Sequence, residues 1–252
     1  MDQMFPDTQK NRSFYNVLDA FQKNIYDKIY EGILQHKSVV IFWNPKQQIE
    51  QHFMDKIFFL LLADYPEIFY VDFPKTTYVF SEKAIIISIS YIFNARKQKT
   101  FELRIAREVA TLVEITKATC GNDKKQQLRY LYHYFVTNIT YAADELKSTD
   151  KCVLCRIHSV LGSLLYRKAV CDGIARGFKL VLDELGIDNL IIRQNLMQGR
   201  AFSHEWNLIL IGKEAWHFDI TWEIALYSKS NQLLFRYYML SEDEMQRMHD
   251  MK

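Results

Sequence analysis

Apolar residues recur every three or four positions over 12–35, at Phe14, Val17, Leu18, Phe21, Ile25, Ile29 and Ile33, so the spacing predicts one amphipathic helix. A β-branched and aromatic run over 38–43 ends at Asn44-Pro45, which reads as a strand stopped by a turn. A second helix is expected over 47–64, closed by Pro66, followed by strands at 70–73, 77–80 and 83–93. Beyond these, 101–119 and 123–137 read as helices separated by Gly121-Asn122, and the polar stretch 141–150 reads as a loop. A short helix is expected over 156–165, with a turn through Arg167-Lys168. From 171 to 185 the positions Ile174, Phe178, Val181, Leu182 and Leu185 share one helical face, and Gly186 is a natural stop. Two strand-like runs, 204–210 and 214–222, flank Gly212-Lys213, a plausible two-residue hairpin loop. The pattern predicts an α+β protein with an α/β amino-terminal region. The basic patch at 96–99 divides residues 1–97 from residues 98–252, which hold all the candidate chemistry.

Composition narrows the classes of function. The 252 residues can bury one large core or two smaller ones. A net charge of +2, with no basic stripe interleaved with aromatics, argues against nucleic acid as a partner. The longest apolar runs, such as 57–63, are far shorter than the roughly 20 residues of a membrane span. The polar, acidic start over 1–7 is unlike a secretory leader, so the chain reads as cytoplasmic. A secreted or surface-anchored protein whose leader has been removed is the alternative. Of the four cysteines, Cys152 and Cys155 have redox or metal spacing, with His158 as a conceivable third ligand. No second ligand pair lies near them, so no metal or other cofactor is expected, and two reduced cysteines near a helix start is the simpler reading.

Cys171 stands in or beside the first turn of its helix, where free backbone amides and the positive dipole end favour a thiolate. Gly173 and Gly177, tolerable in a helix only for a packing or site reason, leave room for close backbone approach there. In the hairpin, pairing Ile211 with Glu214 sets Trp206 opposite Asp219 and His204 opposite Thr221, so His204 and Asp219 project from one face. An aspartate that accepts from one imidazole nitrogen leaves the other free to face a thiol. Cys171, His204 and Asp219 are therefore the candidate nucleophile, base and orienting carboxylate. His217 shares a face with Asp219 but cannot converge from a second element, and His158 is expected at the surface.

Three motifs carry a resemblance. Val170-Cys171-Asp172-Gly173-Ile174-Ala175, His204-Glu205-Trp206-Asn207 and Asp219-Ile220-Thr221-Trp222 resemble the nucleophile, His-x-Trp-Asn and Asp-x-Thr-Trp motifs of the transglutaminase-like superfamily, bacterial branch. Asn138-Ile139-Thr140-Tyr141 looks like that family's Asn-x-x-Tyr, and 237–243 looks like its late strand. The resemblance covers roughly 125–250 and implies a papain-like transglutaminase core, a nucleophile-bearing helix packed on an antiparallel sheet. It implies thiol-dependent acyl transfer on a peptide or protein amide: peptidase, deamidase or amine-transferring. The Cys171 amide would serve as an oxyanion donor, Trp206, Asn207 and Trp222 would bind substrate, and no cofactor would take part. A non-catalytic interaction module of the same fold is the alternative, and a redox protein using Cys152 and Cys155 is a third reading.

Overall fold

The stripe over 12–35 folds as two helices, α1 (Ser13–Asn16) and α2 (Ala20–Leu34), where one was expected. The break is a capping box: Asp19 accepts from the Gln22 amide while the Gln22 side chain accepts from the Asp19 amide. The computed structural model describes residues 12–43, 50–195 and 203–250, so the expected turn at Asn44-Pro45, the first residues of the 47–64 helix and the start over 1–7 lie outside it. The described residues group into two compact units, Arg12–Thr100 and the larger Phe101–Lys252.

In the smaller unit β1 (Val39–Trp43), β2 (Thr77–Phe80) and β3 (Ala84–Ser88) form an antiparallel sheet in the order β1-β3-β2, alongside α3 (Gln51–Asp64). The strand expected at 70–73 reduces to a single bridge, Val71 with Tyr91, because Pro74 turns the chain through a 3-10 segment at Phe73–Lys75. The expected strand 83–93 is correspondingly shorter.

The basic patch at 96–99 is the opening of α4 (Ala95–Cys120), whose buried residues Ile105, Val109, Leu112 and Thr116 keep helical spacing. There follow α5 (Lys124–Asn138) and β4 (Thr140–Tyr141), which pairs in parallel with β5 (Lys168–Ala169). Between these strands lie α6 (Lys151–Ile157) and a π-helical turn, Leu161–Tyr166, in place of the one helix expected at 156–165. The expected loop 141–150 holds a short 3-10 turn at Glu145–Lys147.

Next, α7 (Cys171–Glu184) ends in a Schellman arrangement: Ile187 donates to the Leu182 carbonyl, Gly186 donates to Asp183, and Gly186 takes a φ of +65. A four-stranded antiparallel sheet of β6 (Asn189–Asn195), β7 (Ser203–Ile211), β8 (Glu214–Phe218) and β9 (Tyr238–Leu240) packs against α7. Ile211 does face Glu214, with Gly212 at positive φ in the turn. The register runs only as far as Asn207 opposite Phe218, however. Residues 219–222, expected to extend the strand, start a helix instead, α8 (Ile220–Ser230), because Asp219 caps it by accepting from the Trp222 amide at 3.0 Å. The 237–243 segment divides into β9 and the start of α9 (Glu242–Asp250). The molecule is thus a mixed helix-and-sheet protein whose larger sheets are antiparallel.

Candidate active site

Each of the three expected side chains reaches the site from a different element. Cys171 is the first residue of α7, after Val170 in extended conformation, so helix geometry gives its backbone amide no intrahelical acceptor. The start of this helix is held very close to its surroundings. A Cβ on Gly173 would collide with the Ile157 carbonyl, and one on Gly177 with the Ser163 hydroxyl, which itself donates to the Gly173 carbonyl at 2.7 Å. The two glycines are what let the α6 and π-helical segments approach the helix that carries the thiol.

His204 lies near the start of β7, opposite Gln194 of β6, and is buried. Its Nε2 lies 2.6 Å from Asp219 Oδ2, and Asp219 is fully buried. The pair does not meet across the hairpin ladder, as the extended register required. Asp219 meets the ring from the cap of α8, one carboxylate oxygen on the Trp222 amide and the other on the imidazole. The Cys171 side chain makes a further hydrogen bond to His204. Burial pulls the imidazole down, but the charge and hydrogen bond of Asp219, reinforced by Cys171, overcome it, and His204 is pushed up to about 10. Cys171 itself is partly exposed, while its imidazole partner is sealed.

Two indoles stack on that imidazole: Trp206 at 5.6 Å between centroids and Trp222 at 5.2 Å, inclined by 26° and 15°. Tyr237 packs edge-on to Trp222 at 5.4 Å, and its carbonyl accepts the Asp219 amide at 2.9 Å. Trp206 and Trp222, read from sequence as substrate contacts, are thus also the packing that holds the ring. Asn207 is buried and points the other way, donating from Nδ2 to the Ala175 carbonyl at 3.0 Å, so it ties β7 to α7 and does not face the imidazole side of the strand.

Several neighbours, named in the sequence motifs but given no role there, complete the surroundings. Tyr141, paired with Ala169 two positions before Cys171, has its hydroxyl raised to about 12 by burial and then by the charges of Cys171, Asp172 and Asp219. It stays a protonated donor near the sulfur. Asp172 takes His158 Nδ1 at 3.0 Å on both oxygens and lies 3.9 Å from Arg176. Burial pushes Asp172 up, but His158 and Arg176 hold its carboxyl below the usual range. His158 is half-exposed and belongs to this ion pair, not to a cysteine cluster. Glu205, one residue from His204, is buried against Arg176 and Arg193, and burial nonetheless leaves its carboxyl raised. Cys152 is exposed, Cys155 is buried, and none of the four cysteines is joined in a disulfide. Among the described residues no group of three histidine, cysteine or acidic side chains could hold a metal ion.

No family model matches the chain, and no curated protein matches it. A solved structure, "Crystal structure of a TGase", is similar to it with a TM-score of 0.40 and 9% identity, over 73% of this chain and 50% of that one. The chain spans about half the length of that protein. Likeness at this level carries no argument, and the functional reading rests on the site itself. No described helix is long and apolar enough to cross a membrane.

Proposed function

We propose that the protein is a thiol-dependent acyltransferase or amidase acting on peptide or protein amides, built on a papain-like transglutaminase core. Residues 98–252 form its catalytic region, and Cys171, His204 and Asp219 are nucleophile, base and orienting carboxylate. One observation carries the reading: a buried imidazole bonded at 2.6 Å to a buried aspartate, with its remaining partner a partly exposed cysteine at a helix start. A nucleophile within reach of a base that a third group orients is what covalent catalysis by sulfur requires.

In the reaction the Cys171 sulfur attacks the amide carbonyl while its proton resides on His204. Asp219 occupies Nε2, so Nδ1 is the nitrogen left to exchange that proton. The Cys171 backbone amide, with the Tyr141 hydroxyl near the same sulfur, supplies donors for the oxyanion. Collapse of the tetrahedral species breaks the carbon–nitrogen bond, His204 gives its proton to the departing amine, and a thioester remains on the sulfur. Water or a second amine then completes the turnover. The reading is tested by mass spectrometry of the full chain after brief exposure to a glutamine- and asparagine-containing peptide pool. An acyl adduct on Cys171, absent from Cys171→Ser, is expected; no adduct on any peptide, together with equal iodoacetamide labelling of all four cysteines, overturns it.

A further inference from the structure

His217 belongs to none of the roles above, yet it is buried and hydrogen-bonded to the indole that stacks on the candidate base. Trp206 Nε1 lies 2.8 Å from His217 Nδ1, and His217 Nε2 lies 2.8 Å from Glu242 Oε2 on α9. An indole nitrogen can only donate, so Nδ1 must be bare and accept. The proton of the neutral ring then sits on Nε2 and is given to the carboxylate of Glu242. Both nitrogens are committed and the tautomer is fixed. At the other end of the line, the indole whose N–H is held this way is stacked on His204.

The strand alternation puts His217 on the face of Asp219, near the site but on the same strand and not on a second element. The structure brings it there through Trp206, because its strand neighbour β7 carries both His204 and Trp206 two residues apart on one face. An indole in a buried stack has no other way of fixing its rotation about χ2 than its shape and its one N–H. Removing the acceptor leaves a buried donor unsatisfied and frees the plate on which the imidazole lies.

We infer that His217 is a positioning residue for His204: as the neutral Nε2–H tautomer, backed by Glu242, it pins the Trp206 indole that fixes the imidazole against Cys171. The inference rests on the catalytic reading of Cys171 and His204. It makes α9 part of the site's support, since Glu242 is the outer end of the line.

The test uses the full chain and the rate at which iodoacetamide alkylates Cys171 at neutral pH, which needs no substrate, beside 15N spectra of the histidine rings. His217→Phe keeps a ring but removes the acceptor, and should slow alkylation about five-fold, the rate equivalent of one lost hydrogen bond. His217→Asn, whose Oδ1 can stand near the position of Nδ1, should recover at least half of the lost rate. The spectra should show His217 with Nδ1 bare and Nε2 protonated, and that signature should be lost in Trp206→Phe. Wild-type alkylation in His217→Phe, equal slowing in His217→Phe and His217→Asn, or a proton on Nδ1 at neutral pH would each overturn the inference. If His217→Phe does not fold, His217→Gln, which offers no acceptor at Nδ1, takes its place with the same expectations. His204→Gln separates the two levels: slow alkylation there with an unchanged His217→Phe removes the positioning role alone. An unchanged rate in His204→Gln removes the catalytic reading beneath it.

Discussion

The two compact units bury carboxylates for different ends, and Asp64 and Asp219 show the contrast. In the smaller unit Asp64 is buried and accepts the Phe14 amide at 3.2 Å, the Tyr15 amide at 3.0 Å and the Tyr26 hydroxyl at 2.8 Å. Those donors are backbone amides at the start of α1 and a phenol, so the carboxylate ties a short helix to α3. Around it the unit is knit by aromatic contacts, such as Tyr30 stacked on Tyr65 at 4.0 Å and His36 on Tyr91 at 3.9 Å. Asp219 also serves a helix start, but its second oxygen is spent on an ionisable ring. Near it the larger unit buries His204, Glu205, His217 and Glu223, and Glu223 receives the Tyr132 hydroxyl and the amides of Leu234 and Tyr237. Burying so many titratable groups is costly unless each is bonded, and stability alone gives little reason for it. The difference marks where chemistry is to be sought.

Substitution at the two aspartates breaks the comparison most directly. Asp219→Asn keeps a competent helix cap but presents the ring with the wrong donor pattern, so turnover should fall about 10⁴-fold with little change in melting temperature. Single-turnover acylation of Cys171 beside a thermal scan checks this, and a proportionate loss of both would reduce Asp219 to a structural cap. Asp64→Ala should do the reverse: stability falls by about 2–4 kcal/mol, from the stranded donors, while alkylation of Cys171 in the folded fraction stays the same. Urea unfolding followed by tryptophan and tyrosine signals measures it.

A smaller effect sharpens the same contrast through pH. His204 is raised from its ordinary value near 6.5 to about 10, so the folded chain holds this proton more tightly than the unfolded one. Its contribution to stability is complete below about pH 6.5 and is lost as the pH climbs through about 10. The melting temperature should therefore decline over that interval by several degrees more in the wild type than in His204→Gln. Parallel declines would show that the ring is not held as an imidazolium.

Much of this site could be read from the chain because its signals are local. The apolar face of α7, the stop at Gly186 and the turn at Gly212 are set by neighbours in sequence, and so was the first half of the hairpin register. The error at 219–222 is instructive. Phe218, Ile220, Thr221 and Trp222 have strand propensity, and a single side-chain cap outweighed it. The β6 strand is a short continuous apolar run, Leu190, Ile191 and Ile192, that does not alternate with polar residues, so periodicity alone does not mark it. Tyr141, Tyr237 and Glu242 lie in segments with recognisable motifs, 138–141 and 237–243, but their convergence on the site joins parts far apart in the chain, which no local pattern encodes. His158 and Asp172, fourteen positions apart, are brought together where Gly173 of α7 lets the end of α6 come so near.

Under the proposed function, the dual engagement of Asp219 ties reactivity to completion of the fold. Until α8 is wound, nothing aims that carboxylate, and the ring has neither its charge nor its tautomer set. On the proposed catalytic reading, a nascent or partly denatured chain then carries an ordinary thiol, unable to attack its own peptide bonds or those of its neighbours. Sulfhydryl labelling speed at position 171 would then gauge how many molecules in a preparation are correctly assembled.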